Sequence, residues 1–565
     1  MSSMPTSTEA HQVTAESLTP DEFTGGDILV EVMRAAGVEV AFGVISIHNL
    51  PLVETVQRDL RFVPVRHEAA AINAADAYAR ATGGIGVAIT STGTGAGNAA
   101  GSMLEALTAG SRVLHVTGNV ASELIGQGKG AYHEVPRQLQ MLQAVSQHAL
   151  RVETARQARA TLTEAVRLLT TAPTGTVSVD WPIDLQYLAK PDEQNKVDER
   201  EVQLRTGARR DVERAATMMK QAQRPLIWVG GGAREAAEDV TRLAEAWGAG
   251  VLSGTNGRGT VAEDHELLIG NFAADEAVEP LLQQADLLLT LGSHLRGNET
   301  RNFSLPLPEQ HIQVDLDSEV IGINFPATVA LQADVRSVVP ALTELLDQTS
   351  VDPEWKQQVQ DAARQARESH RVDIGAYAQI CDSIRARLPR RAVVVRDVTV
   401  PGSSWGNRLL QTYDPRDNIF AAGGGIGQGL AQAIGAGVAR PDDPVLAIVG
   451  DGGLQVYLGE LAVLAEQSPH VVLVVFNDGG YGVLRNLQKA RSAPQRAVDL
   501  LTPDLKLVCN GMGLKHKRVE DPEGFDKALK KALKRSGPTV IEVMVDELSP
   551  RPKDLVPPTE APSAE

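Results

Sequence analysis

The chain has 565 residues, too many for one compact domain, and 54 Lys and Arg against 71 Asp and Glu give it a net charge of −17. This acidic surplus argues against nucleic acid or an anionic membrane surface as a partner, but it leaves room for a small anionic ligand. The two cysteines, Cys381 and Cys509, form no disulfide framework and no cysteine metal motif, so a reducing, cytoplasmic location is expected.

The two ends of the chain are expected to be flexible tails. Residues 1–24 have neither the basic nor the apolar segment of a secretory signal peptide, and residues 548–565 are rich in proline. No apolar run approaches the roughly 18 residues that a membrane-spanning helix requires. No membrane partner is therefore expected.

Three blocks of sequence alternate short apolar runs with helical patterns, which is typical of open parallel sheets flanked by helices. They span residues 25–190, 205–345 and 375–547, with a charged linker at 189–203. The predicted fold class is therefore α/β, with three such domains. The expected strands lie at 38–44, 62–68, 85–92, 111–118 and 175–182, at 225–232, 248–254, 285–293 and 311–318, and at 392–398, 444–453, 471–478 and 539–546.

In the first block, an apolar strand leads into an acidic residue that opens an alanine-rich helix. The stretch FVPVRHEAAAINAADAYARATG places Glu68 at this junction and predicts a helix after it. An acidic residue at a helix start is often only a favourable partner of the helix dipole. This stretch alone therefore leaves a structural role open for Glu68.

In the third block, two apolar strands end in glycine and oxygen-bearing side chains. VLAIVGDGG ends at Asp451 and its flanking glycines, and VVLVVFNDGG ends at Asn477, 26 positions later. Because ligands of parallel sheets bind at the carboxyl ends of strands, both side chains are expected to meet at one edge. Oxygen ligands suit Mg²⁺, and glycines let backbone N–H groups approach phosphates. A Gly-Asp-Gly sequence alone is usually only a structural turn. The same sequence followed by an Asn after a second apolar strand is a much more specific sign of ligand binding.

These motifs resemble the thiamine-diphosphate-dependent acetolactate synthase and 2-oxoacid decarboxylase family, whose fingerprint is GDG, a gap in the twenties, and Asn. The RHE segment around Glu68 and the stretch FAAGGGIGQG (420–429) also match. The resemblance covers nearly the whole chain. It implies a pyrimidine-binding domain (25–190), a middle domain (205–345) and a diphosphate- and Mg-binding domain (375–547).

The resemblance implies thiamine diphosphate and Mg²⁺ as cofactors. The metal ligands would be the side chains of Asp451 and Asn477 and the carbonyl of Gly479. Catalytic Glu68 would hydrogen-bond the pyrimidine nitrogen N1′. Further cofactor-binding predictions are Gly424, whose carbonyl would accept a hydrogen bond from the 4′-amino group, Ile426, which would wedge the two rings into a V shape, and Gly450, Gly452, Gly453, Gly480 and Tyr481.

At the substrate end, the chain departs from the family pattern. His133 in GAYHEVP stands near where synthases carry a pocket glutamine, so it is predicted as a catalytic proton relay, although a lone histidine often packs or caps instead. The loop FGVISIHNLP (42–51) replaces the family's FG-x-P-G-G, and His48 and Asn49 are predicted to contact the substrate. A Gly-rich helix start is likewise an alternative for residues 420–429.

The family reaction is decarboxylation of a 2-oxoacid, and the synthase-like layout favours carboligation of the resulting enamine to a second carbonyl. The alternatives are a simple 2-oxoacid decarboxylase, a hydroxyketone C–C lyase, and a catalytically silent thiamine-diphosphate-binding protein. A Rossmann dehydrogenase is disfavoured because GGGIGQG lacks a preceding long strand and an acidic partner.

The middle block of biosynthetic synthases holds FAD, but the stretches IGNFAAD and LGSHLRGNETRNF differ from the usual flavin contacts, so FAD is not favoured. In the family, Glu68 would face the diphosphate domain of another subunit. A homodimer is therefore the minimum expected assembly, with a homotetramer as the larger form.

Overall fold

The computed structural model describes residues 23–189 and 204–555. Most of the predicted N-terminal tail (1–22), most of the predicted linker (190–203) and the last residues of the predicted C-terminal tail (556–565) lie outside the described residues. Residues 548–555 lie against the neighbouring domain, where the carbonyl of Pro550 accepts a hydrogen bond from Ala376 N at 2.9 Å.

The chain builds three six-stranded sheets, and every pairing in them is parallel. One sheet lies within each of the predicted ranges 25–190, 205–345 and 375–547, whose boundaries stay predictions. The predicted α/β fold with three open parallel sheets is confirmed. Within the described ranges, none of the helices combines the length and apolar character needed to cross a membrane.

The first sheet has the strand order β2-β1-β3-β4-β6-β5. Its strands are β1 (Val40–Gly43), β2 (Arg61–Pro64), β3 (Gly86–Thr90), β4 (Val113–Asn119), β5 (His148–Arg151) and β6 (Val177–Pro182). The helices around it are α1 (Gly25–Ala35), α2 (Leu50–Asp59), α3 (Glu68–Thr82), α4 (Thr94–Thr108), α5 (Gln138–Val145), α6 (Ala158–Thr170) and α7 (Ile183–Tyr187).

The middle sheet has the order β12-β11-β10-β7-β8-β9. Its strands are β7 (Pro225–Val229), β8 (Gly250–Ser253), β9 (Leu268–Gly270), β10 (Leu287–Leu291), β11 (His311–Asp315) and β12 (Val329–Gln332). The helices are α8 (Arg209–Gln221), α9 (Ala237–Trp247), α10 (Glu279–Gln284) and α11 (Val335–Leu345), followed by α12 (Trp355–Asp373) and α13 (Tyr377–Arg387), which lead to the third sheet.

The third sheet has the order β14-β13-β15-β16-β18-β17. Its strands are β13 (Val393–Arg396), β14 (Asn418–Phe420), β15 (Val445–Gly450), β16 (Val471–Asn477), β17 (Lys515–Val519) and β18 (Thr539–Met544). The helices are α14 (Val400–Ser403), α15 (Gly429–Ala439), α16 (Asp451–Val456), α17 (Glu460–Gln467), α18 (Gly482–Ala490), α19 (Leu505–Gly511) and α20 (Pro522–Ala532).

The first and third domains share one hydrophobic core, because α3 packs directly against α15. The two helices approach so closely that a Cβ at Gly435 would lie 2.0 Å from the carbonyl oxygen of Ala74. Two side chains of α3 extend the contact: Asp76 accepts a hydrogen bond from Gln432 at 3.2 Å, and Arg80 donates to the Phe420 carbonyl at 2.9 Å. Small residues on both helices therefore set how the two domains dock.

Replacing Gly435 with alanine is expected to destabilise the protein by about 1–3 kcal/mol, because a methyl group would press on the Ala74 backbone, which cannot move aside as a flexible side chain would. Chemical unfolding followed by circular dichroism measures the loss. The matched control is Gly101→Ala on α4, where an added Cβ meets nothing within 4 Å and helix propensity favours alanine. Equal stability of the two variants would contradict the docking role of Gly435.

Candidate functional site

Asp451 and Asn477 lie at the carboxyl ends of two adjacent strands. Strands β15 and β16 pair in parallel, with Gly450 opposite Phe476, so the residues that follow them emerge side by side. Asp451 opens α16 and is only 1% exposed. The structure thus brings these two predicted ligands together at the edge where parallel sheets bind their ligands.

Neighbouring groups orient both side chains. The carboxylate of Asp451 accepts hydrogen bonds from the Thr502 hydroxyl at 2.7 Å and from Asp478 N at 3.3 Å. Asn477 donates through Nδ2 to Glu542 at 2.8 Å, which turns its Oδ1 the other way, towards Gly479 N at 3.2 Å. The amide oxygen of Asn477 is therefore presented at the strand end, as a metal ligand must be.

Glu542 is a fully buried anion. Burial alone would raise its pKa, but hydrogen bonds from His516, Arg518 and Asn477 hold the pKa of Glu542 at about 2. It stays ionised near neutral pH and keeps accepting from the amide of Asn477. Glu542 therefore fixes the orientation of the Asn477 amide, with Nδ2 towards Glu542 and Oδ1 on the opposite side.

The donor set at this edge fits Mg²⁺. It consists of one carboxylate, one amide oxygen and the backbone of Gly479, whose φ of 76° turns the chain sharply after β16. Hard oxygen donors in small number, with room for phosphate oxygens and water, are the usual environment of this ion. Among the described residues no group of three or more His, Cys, Asp or Glu could hold a metal.

The glycines around Asp451 make a cradle that side chains would fill. A Cβ at Gly452 would lie 2.8 Å from the carbonyl oxygen of Gly480 and 2.9 Å from the ring of Tyr481. At Gly453 it would lie 3.2 Å from Asp397, and at Gly450 it would lie 3.1 Å from the Thr399 hydroxyl. The chain is therefore packed too closely at these three positions for any side chain, and the binding of a diphosphate by their N–H groups stays a prediction.

The loop before α15 carries Gly424 and Ile426. Gly424 has a φ of 89°, and an added Cβ there would meet nothing within 4 Å. Ile426 is 39% exposed although it is large and apolar. Both residues project away from the domain, which suits contact with a ring-shaped ligand.

Glu68 begins α3 at the carboxyl edge of the first sheet and is half-buried. Its carboxylate accepts a hydrogen bond from Asn98 Nδ2 at 3.0 Å. The start of α4 touches it as well, because a Cβ at Gly95 would lie 2.8 Å from Glu68 Oε1. One carboxylate oxygen is thus held by Asn98, and the other faces the glycine-rich helix start.

His48 and His133 come together, although 85 positions separate them in the sequence. Their ring centroids are 5.4 Å apart, and the Nδ1 atoms of both rings are buried with no hydrogen-bond partner among the described residues. Burial and the neighbouring His133 lower the pKa of His48 to about 4, so His48 is neutral near pH 7. His133 adopts a positive φ of 66°, a strained conformation for a non-glycine residue.

Asn49 is fully buried and bound within its own loop. Its Nδ2 donates to the Val44 carbonyl at 3.0 Å, and its Oδ1 accepts from Ser46 N at 2.7 Å. These two hydrogen bonds hold together the loop that carries His48. These two bonds give Asn49 a role in the loop itself, and its predicted contact with the substrate stays a prediction.

A cavity of about 900 Å³ is lined mainly by the first and middle domains, with residues 414–416 of the third. Its lining includes the glycine loop that follows β7 (230–232) and the arginines Arg80, Arg112, Arg234 and Arg296. Carboxylates of the same lining, such as Glu235 at 2.6 Å from Arg112, offset part of this positive charge. The predicted absence of FAD stays a prediction.

Sequence reasoning missed several polar residues that support the site: Thr502, Glu542, Asp397 and Glu105. Asp397 carried a usable signal, because it directly follows β13, as Asp451 follows β15. Burial raises the pKa of Asp397 to about 6, against the opposing effect of backbone hydrogen bonds. The other three act from distant parts of the chain, and no local pattern marks them.

Comparisons with known proteins agree with this geometry. Three thiamine pyrophosphate enzyme models match in order: the N-terminal binding domain over residues 23–146, the central domain over 212–342 and the C-terminal binding domain over 402–543. Together they match more than half of the chain.

Curated relatives align along almost the whole chain. A "Probable acetolactate synthase large subunit" of Methanocaldococcus jannaschii is 27% identical, covering 94% of this chain and 93% of its own. The "Acetolactate synthase isozyme 2 large subunit" of Escherichia coli is 29% identical, over 93% and 96%. A "Probable 2-ketoarginine decarboxylase AruI" of Pseudomonas aeruginosa is 28% identical, over 92% and 94%. With its three sheets, its paired Asp451 and Asn477 and these three family matches, the chain belongs to the thiamine pyrophosphate enzyme family.

Proposed function

We propose that this enzyme binds thiamine diphosphate and Mg²⁺, decarboxylates a 2-oxoacid and joins the remaining carbons to a second carbonyl compound. The observation that carries the proposal is the oriented pair of Asp451 and Asn477 on adjacent strands, beside a glycine cradle. The relatives named as acetolactate synthases support the carboligation. The buried thiols Cys381 and Cys509 accord with a cytoplasmic location.

Bound thiamine diphosphate would supply the nucleophilic carbon and the electron sink for decarboxylation. In our proposal Asp451, Asn477 and the carbonyl of Gly479 hold Mg²⁺, and the metal anchors the diphosphate. Ile426 supports the coenzyme from below, and the carbonyl of Gly424 accepts a hydrogen bond from the 4′-amino group. These groups fix position and need not change protonation state.

Glu68 is the proposed proton-handling residue. Its role is to hold a proton at the pyrimidine nitrogen N1′, which increases the acidity of the 4′-amino group on the same ring. The hydrogen bond from Asn98 orients the carboxylate for this contact.

The site needs two copies of the chain. Within one chain, Glu68 touches α4 at Gly95, whereas the loop that carries Gly424 is bound to α4 at Glu105, through Gly423 and Gly425. These two points are ten positions apart on α4, which is about 15 Å along the helix axis. One pyrimidine ring cannot contact both, so we propose that Glu68 serves the coenzyme of a second copy in a homodimer.

Exposed apolar side chains favour the same assembly. Ile45, Ile47 and Tyr132 are exposed in the loops near Glu68, and Ile426 and Leu501 are exposed beside the metal-binding edge. Such side chains around both halves of a site are typical of surfaces that another protein surface covers. Native mass measurement tests this assembly, and an active monomer would contradict it.

A second candidate function is simple decarboxylation, and the His48–His133 pair favours it. A neutral imidazole such as His48 can relay a proton by accepting it on one nitrogen and releasing one from the other. Protonation of the reacting carbon through such a relay would release an aldehyde instead of a ligated product. The relative named as a 2-ketoarginine decarboxylase also favours it.

Product analysis distinguishes the two functions. The protein, loaded with thiamine diphosphate and Mg²⁺, is incubated with 2-oxoacids that carry short alkyl or guanidinium side chains, and CO₂ and carbon products are both measured. Carboligation of two 2-oxoacids is expected to give one CO₂ and one ligated product for every two acids consumed. One CO₂ and one aldehyde per acid would instead establish the decarboxylase, and no consumption would exclude both.

The variant His133→Asn in the same assay tests the histidine pair. If the pair delivers the proton, the fraction of aldehyde among the products is expected to fall. An unchanged product ratio would assign the pair to loop structure only.

A further inference from the structure

Four glycine N–H groups between residues 423 and 429, three in the loop before α15 and one at the first residue of that helix, are bound by two carboxylates. Gly423 and Gly425 donate to the two oxygens of Glu105, at 2.6 and 2.5 Å. Gly427 and Gly429 donate to Asp397, at 3.0 and 3.2 Å. Every second residue of this loop is therefore held from within the protein.

The residues between these glycines point the other way. Gly424 and Ile426 alternate with the bound positions, and neither is enclosed by the domain. These are the two residues proposed to contact the aminopyrimidine ring. The bonds to Glu105 thus set the backbone on both sides of Gly424.

Glu105 belongs to the first domain, whereas the loop belongs to the third. Glu105 is only 8% exposed. A buried carboxylate is costly unless hydrogen bonds compensate it, and here the loop N–H groups do so. Side chains are excluded next to it, since a Cβ at Gly423 would lie 2.8 Å from Glu105 Oε1.

We propose that Glu105 is a positioning residue for the coenzyme: it fixes the loop of residues 423–425 so that the Gly424 carbonyl and Ile426 are ready for the aminopyrimidine ring. This inference rests on the proposed function. It assigns the first domain two tasks at two sites, with Glu68 serving the partner's coenzyme and Glu105 shaping the loop of its own chain.

The variant Glu105→Gln tests the proposal. Glutamine has nearly the same shape, but its NH₂ group would face a loop N–H, so one of the two glycines loses its acceptor. Backbone amides of residues 420–430 are therefore expected to exchange with deuterium at least tenfold faster, as measured by mass spectrometry on the coenzyme-free protein. The matched control is Glu123→Gln, which removes the charge of an exposed carboxylate in the same domain and should leave this exchange unchanged.

Calorimetry with two ligands then separates the loop from the rest of the site. Thiamine diphosphate with Mg²⁺ reaches both ends of the site, whereas inorganic diphosphate with Mg²⁺ reaches only the metal end. In Glu105→Gln, the Kd for thiamine diphosphate is expected to rise at least tenfold, while the Kd for inorganic diphosphate changes less than twofold. Equal losses for both ligands, or unchanged binding and exchange, would overturn the inference.

A second variant covers the case in which Glu105→Gln does not fold. Glu105→Asp keeps the charge but withdraws the carboxylate by one methylene group, so the same difference between the two ligands is expected. If the wild-type protein itself binds no thiamine diphosphate, the proposed function fails and the inference fails with it. If the wild type binds and both ligands respond equally in the variant, only the inference fails.

Discussion

The variant Glu68→Gln is expected to turn over 2-oxoacids at least about 10²-fold more slowly than the wild-type enzyme, which is the usual scale for loss of a positioned acid–base group. Glutamine preserves the size of the side chain and can still contact Asn98, but it cannot hold a proton for the pyrimidine nitrogen. Steady-state CO₂ release under saturating coenzyme measures the effect.

The fold and the coenzyme affinity should change little in Glu68→Gln, because the substitution is nearly isosteric and leaves the metal end untouched. Glu54→Gln on α2, which removes an exposed carboxylate from the same domain, is the control and should keep wild-type turnover. Full activity of Glu68→Gln would remove Glu68 from its proposed role.

The variant Asp451→Ala is expected to raise the Kd for thiamine diphosphate in the presence of Mg²⁺ by at least about 10²-fold. Loss of a residue that merely orients a metal ligand typically costs 10–100-fold in metal affinity, so loss of the charged ligand itself should cost no less. Isothermal titration at fixed Mg²⁺ concentration measures this, and the same titration after removal of the metal by a chelator should give the same weak binding for both proteins.

Asp442→Ala provides the control for this charge loss. Asp442 lies just before β15 and is exposed, whereas Asp451 lies just after that strand and is buried. The control should bind the coenzyme as the wild type does. Undiminished affinity of Asp451→Ala would place the metal elsewhere in the protein.

The sequence predicted every central strand of the three sheets and one edge strand, β2, but not the other five edge strands. Five strands were not predicted, and each of them lies at an edge of its sheet: β5, β9, β12, β14 and β17. Central parallel strands are covered on both faces and therefore read as continuous apolar runs. An edge strand lacks this signal: β17 has the sequence Lys-His-Lys-Arg-Val and only its last residue is buried.

The proximity of Asp451 and Asn477 could be predicted because both residues follow strands that are consecutive in one crossover unit. The pairing of β15 with β16 converts their spacing in the sequence into proximity in space. The supporting residues could not be predicted in the same way. Glu105 reaches its loop from another domain, and Thr502 reaches Asp451 from 51 positions away. Tertiary packing alone brings them together.

The distance along α4 between Gly95 and Glu105, which divides each proposed site between two copies of the chain, predicts complementation between inactive variants. If each site combines Glu68 from one copy with Asp451 from the other, a Glu68→Gln copy and an Asp451→Ala copy can complement each other. In the mixed dimer, one site contains both substitutions and the other site contains neither. Random pairing of equal amounts of two inactive proteins would then restore roughly a quarter of the wild-type sites, as expected for a symmetric dimer.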